Sequence, residues 1–113
     1  MFDNKYVLDF DEALMLIESF FRVEITQLKL MSQFRNSAGY WSIKHGFRDV
    51  VILISSDRGG LNVEVNIGNR EINFFEFEPL MKNAEVASEK NIRFALDVVK
   101  RFVDRFNAIN AAS

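Results

Sequence analysis

Between Leu61 and Ile67 the chain reads LNVEVNI, so that Leu61, Val63, Val65 and Ile67 alternate with Asn62, Glu64 and Asn66. A strand turns successive side chains to opposite faces, and this alternation describes a strand with one apolar and one polar face. Gly68-Asn69 directly after it is a two-residue hairpin signal, and Asp57-Arg58-Gly59-Gly60 before it is a turn whose glycines accept positive φ. A two-residue loop at Gly68-Asn69 pairs Ile67 with Arg70, Val65 with Ile72 and Val63 with Phe74. A four-residue loop at 57–60 pairs Ser56 with Leu61, Ile54 with Val63 and Ile52 with Val65. Both turns independently bring apolar partners onto one face, which is the consistency an antiparallel meander requires.

YWSIK (40–44) and DVVILISS (49–56) add two strands, joined by HGFR. In REINFFEFEPL (70–80) the alternation changes phase, because Ile72 and Phe74 give way to Phe75 and Phe77. A β-bulge at Phe74-Phe75 restores the phase, turning Ile72, Phe74 and Phe77 inward and Glu71, Asn73, Glu76 and Glu78 outward. Pro79 cannot donate to a ladder and ends the strand. Upstream, Asp9 with Glu12 three residues on forms a capping box, followed by Leu14, Ile17, Phe21, Leu28 and Met31 at helical spacing. That helix either continues to about Gln33 or ends near Arg22 and gives way to a strand, since β-branched Val23, Ile25 and Thr26 weaken its middle. Downstream, Ser88 caps a helix whose stripe is Ile92, Leu96, Val99, Val103 and Phe106, and the tail from 107 is expected to fray. The expected architecture is a single α+β domain over 1–113, a four-stranded antiparallel meander flanked by an N-terminal and a C-terminal helix.

The 113 residues are enough to bury a core without staples. Twelve are phenylalanine; each removes roughly 150–250 Å² from water when buried, so these rings must dominate the core, a partner surface or both. The absence of cysteine excludes disulfide frameworks and thiolate chemistry and suits a reducing compartment. The acidic start MFDNKYVLDFDEA lacks the order of a secretory signal, and no apolar run approaches the roughly 20 residues of a membrane span. A cytoplasmic protein without membrane partners is expected. Charge alternates along the chain: residues 1–24 and 61–89 each carry a net −4, whereas 25–60 and 90–113 each carry +3, for a total of −2. Without a basic excess, nucleic acid is not an expected partner.

No residues assemble into a catalytic, cofactor or metal site. His45 is the only histidine, which rules out sites built on two or three imidazoles, and it is expected in or near a turn. Ser55, Ser56 and Asp57 lack a nucleophile elbow. The DRGG turn lacks the G-x-x-x-x-G-K-[ST] frame of a phosphate loop and reads as a plain hairpin. Glu76 and Glu78 lie two apart on an expected strand and would face one way, but a pair acting in catalysis must flank a cleft.

The outer face of the sheet is the feature with functional content. By the register above it gathers Val51, Leu53 and Trp41 beside Glu64, Glu71 and Glu76, a mixed apolar and acidic surface suited to a basic protein partner. Trp41, Leu53, Glu64, Glu71, Glu76 and Glu78 are the candidate contact residues.

Over residues 40–106, ISSDRGGLNVEVNI, FFEFEPLM and the capped helix SEKNIRFALDVVKRF resemble the small immunity proteins of bacterial polymorphic-toxin and contact-dependent growth-inhibition systems in size, element order and acidic character. The resemblance implies a cytoplasmic, non-enzymatic protein that binds the C-terminal domain of a cognate toxin and occludes its active site. Many such toxins are basic nucleases, whose phosphate sites acidic side chains would mimic. Two alternatives are a small-molecule or accessory domain with a phenylalanine-lined pocket, and a homodimeric scaffold joined through the sheet.

Overall fold

Asp9 opens the first helix as the capping box requires: its carboxylate accepts from the Glu12 N–H at 2.8 Å, and the Glu12 carboxylate accepts from the Asp9 N–H at 3.1 Å. The computed structural model describes residues 7–112, with side chains through Phe106, and its backbone stays helical to Ala112 where the sequence predicts a fraying tail. Helix α1 (Phe10–Glu24) ends at Ile25, where β-branched residues take over. The shorter of the two helices expected over 23–35 is the one that forms, and strand β1 (Lys29–Arg35) follows it.

The sheet therefore has five strands where the sequence predicts four. Strands β1, β2 (Trp41–Phe47), β3 (Val50–Asp57), β4 (Gly60–Ile67) and β5 (Arg70–Ile72) lie in chain order, each antiparallel to the next. The β3–β4 register pairs Ser56 with Leu61, Ile54 with Val63 and Ile52 with Val65, as the turn arithmetic predicts. The hairpins are tighter than expected. Arg58 and Gly59 alone form the β3–β4 loop, both at positive φ (54° and 85°), the backbone that matches strand twist in two-residue loops. Two residues, Arg48 and Asp49, likewise close β2 onto β3, which draws His45 into the strand.

The phase slip in REINFFEFEPL is resolved by a helical turn in place of the expected bulge. The chain leaves the sheet after Ile72, so the predicted Val63–Phe74 pair does not form. The Asn73 side chain accepts from Phe75 N–H at 3.0 Å and Glu76 N–H at 3.2 Å, capping helix α2 (Phe74–Phe77). The 3₁₀ segment Pro79–Asn83 comes next, with Glu78 accepting from Leu80 N–H. The chain then returns past β4, where Leu61 N–H donates to Glu85 O at 2.7 Å and Gly60 bridges Val86. Helix α3 (Glu89–Ala112) starts with Ser88 Oγ accepting from Asn91 N–H at 3.2 Å.

Helices α1 and α3 cover one face of the sheet. Ile43, Ile52, Ile54 and Val65 from the strands meet Ile17 and Phe21 from α1 and Ile92, Leu96 and Val99 from α3. Each such buried side chain contributes about 1.5–3 kcal/mol relative to exposure. Phe74, Phe77, Phe102 and Phe106 extend this core at one end, with successive ring centroids 5.5–6.3 Å apart. Much of the phenylalanine content is therefore structural. No helix among the described residues is long and apolar enough to cross a membrane.

Candidate partner-binding face

Residues two apart in a strand share a face, so the register fixes what the uncovered side presents. One row across it runs Ser32, Lys44, Leu53 and Glu64, and the next runs Lys29, Gly46, Val51, Asn66 and Glu71. A third carries Phe34, Ser42, Ser55 and Asn62. Val51, Leu53 and Glu64 are half-buried and Glu71 is exposed, and among the described residues no helix packs on this side. Asn62 Nδ2 donates to Glu64 at 3.3 Å and holds that carboxylate along the strand. Glu64 and Glu71 are diagonal neighbours across β4 and β5, roughly 7–8 Å apart in this arrangement. Lysines stand at the β1–β2 end of the face and glutamates at the β4–β5 end.

Leu53, Glu64 and Glu71 are thus the sequence-predicted residues that the fold brings together. The other three go elsewhere. Trp41 is a correction: it shares a strand face with Ile43, pairs with Ser56 and is 4% exposed on the helix-covered side. Glu76 and Glu78 are corrected together, since the strand that was to carry both stops at Ile72. Glu76 is exposed on α2, while Glu78 turns to α3 and pairs with Arg101 at 3.0 Å. The Leu80 N–H, then Arg101, hold the Glu78 carboxyl below its ordinary value.

Sequence reasoning missed two exposed apolar residues near the lysine end, Met31 (58% exposed) and Phe34 (53%). Phe34 lies in the third row, and Met31 sits in a bulge between Leu30 and Ser32 that breaks the alternation of KLMSQFR and conceals it as a strand. The Met31 thioether lies against Gly46, where a Cβ would collide with it.

His45 is no turn residue. It sits within β2 at 1% exposure, with Nε2 2.8 Å from Glu18 Oε1 and the Phe21 ring edge-on at 4.6 Å between centroids. Burial holds its pKa below the ordinary value, against the opposing pull of Glu18. Ser56 lies two rows away along the same face, roughly 13 Å by strand rise, so it cannot share a proton with His45. No group of three or more potential metal ligands occurs among the described residues. No family model matches this chain, and no curated protein and no solved structure matches it either.

Proposed function

We propose that this protein is a cytoplasmic, non-enzymatic inhibitor that binds a basic protein partner and occludes its active site. The observation that carries this reading is the sheet face left uncovered among the described residues, where Leu53 and Val51 stand beside Glu64 and Glu71. Aliphatic residues on an unpacked face are a cost in a monomer and an asset in an interface. Acidic groups around them steer a basic partner and speed association. The resemblance to bacterial immunity proteins gives the partner its class, the C-terminal domain of a toxin, with a basic nuclease as the form best matched to the acids. Phe77, Phe102 and Phe106 pack against one another at the end of the core, and of that cluster only Phe74 also lines a groove beside β4, which leaves few rings for the small-molecule alternative.

One observation favours a second reading. Lys29 and Lys44 at one end of the face and Glu64 and Glu71 at the other make it self-complementary under a two-fold axis, the arrangement of a face-to-face homodimer. Sedimentation decides between them: a solution mass of 13.1 kDa fits the inhibitor, and about double that mass the scaffold. The inhibitor itself is tested by capturing a partner from the source organism's lysate at low salt and titrating its activity. Loss of activity at a one-to-one ratio supports the proposal, and an unaffected activity contradicts it.

A further inference from the structure

Strand β4 has eight residues, but its outer side is only partly paired. Strand β5 covers Val65, Asn66 and Ile67, and the returning chain covers Gly60 and Leu61 through Val86 and Glu85. Between them, opposite Asn62 to Glu64, the lane beside β4 has no strand among the described residues. Backbone groups alternate in direction along a strand: Leu61 N–H points into this lane, as its bond to Glu85 proves, and so do the N–H and C=O of Val63. Among the described residues neither Val63 group finds a backbone partner there.

The lane is a half-open groove of about 710 Å³. Leu61 and Val63 from the helix-covered face and Asn62 and Glu64 from the open face all line it, which marks it as the strand edge itself. Phe74 and Met81 form its apolar side, while Glu64, Glu71 and Glu85 outnumber its single cation, Lys82.

We infer that this lane takes a short extended segment of a protein partner, with the order basic–apolar–basic, by strand addition to β4. The inference rests on the reading of a basic protein partner and adds the element that receives it. A residue paired with Val63 would satisfy both free backbone groups, and its side chain would fall on the side of Phe74 and Met81. Its two neighbours would point to the open face, toward Glu64 and Glu71. Because β5 and Glu85 close the lane at both ends, the inserted stretch is about three residues, roughly 10 Å. The segment arrives as the crest of a loop.

The test uses the full chain and two capped peptides, Gly-Lys-Val-Lys-Gly and its inverted control Gly-Val-Lys-Val-Gly, followed by amide NMR. At roughly 5 mM peptide, the first should slow exchange of the Val63 amide about tenfold and the control should not. Val63→Pro removes this N–H without touching the β3 ladder, because Val63 faces Ile54 in a non-hydrogen-bonded pair. That variant should retain its β3–β4 signals and lose the peptide-induced shifts of the neighbouring Asn62 and Glu64 amides; full shifts there in the variant would overturn strand addition. Peptide binding that shifts Leu53 and Glu71 but leaves Val63 unprotected overturns strand addition while sparing the open-face reading. Equal response to both peptides, or none to either, overturns the lane as a basic-segment site. Val63 protection that rises with protein concentration alone assigns the lane to a second copy and overturns it as well.

Discussion

Leu53 and Ile54 are adjacent in β3, equal in size and both aliphatic, yet their surroundings differ completely. Ile54 is 1% exposed between the sheet and the helices, whereas Leu53 stands half-buried beside Glu64 with no helix above it among the described residues. Hydrophobicity alone does not separate them. The helices carry their apolar stripes toward one face, and strand parity then decides which of two neighbours joins the core. One face holds the fold together and the other is left to meet something else.

The largest effect that follows is on stability. Ile54→Ala should cost about 3 kcal/mol, through lost transfer energy and a cavity the packed helices cannot close. Leu53→Ala should cost about 1 kcal/mol or less, since water and flexible neighbours fill the space. Urea unfolding of the pair measures the contrast, and equal losses would show that the open face is covered after all.

The second contrast is in pH. His45 on the covered face resists protonation, so the unfolded chain binds a proton first as pH falls below 6.5. Stability should be full above that value and decline below it, toward the lowered pKa of the folded state. His45→Gln retains a donor for Glu18 and should flatten the decline between pH 6.5 and 5, read from thermal midpoints. Glu78 acts in a separate window: its carboxyl is held below 4.5, so its contribution is present above that value and is lost as pH falls further.

The corner where the chain leaves the sheet should show a smaller effect. Asn73→Ala removes the acceptor for two α2 N–H groups and should cost about 1 kcal/mol. Smallest of all is the stability change from Glu64→Lys with Glu71→Lys, expected within about 0.5 kcal/mol because Glu71 is exposed and Glu64, though half-buried, keeps its charged end on the open face with one exposed hydrogen bond to lose. The same double variant should have its large effect on partner binding.

The meander was legible because two turns with strong chemistry, Arg58-Gly59 and Gly68-Asn69, fix register independently and agree. Both helix caps were legible for the same local reason, a side chain within reach of specific N–H groups. Strand β1 was hidden by its bulge at Met31 and by a helical spacing that runs on from α1 through Leu28. The α2 turn was hidden because REINFFEF satisfies a strand pattern at each end, and only Asn73 signals that the chain can turn between them. Of the candidate contacts, Leu53, Glu64 and Glu71 followed from the register that the turns fix. Trp41 was misplaced although Ile43, two residues on, shares its face. Glu76 and Glu78 were misplaced with the strand that does not exist. Val63's free edge could not be read from sequence, because it arises from where β5 stops and where residues 85–86 return.

The most direct measurement is the affinity of a captured partner for the wild-type chain and for the Glu64→Lys, Glu71→Lys variant, at low and at high salt. The wild type should bind tightly at low salt and weaken as salt rises, and the variant should bind at least about tenfold more weakly at low salt. Equal affinity of the two chains at low salt would contradict an open face that recognises its partner by charge.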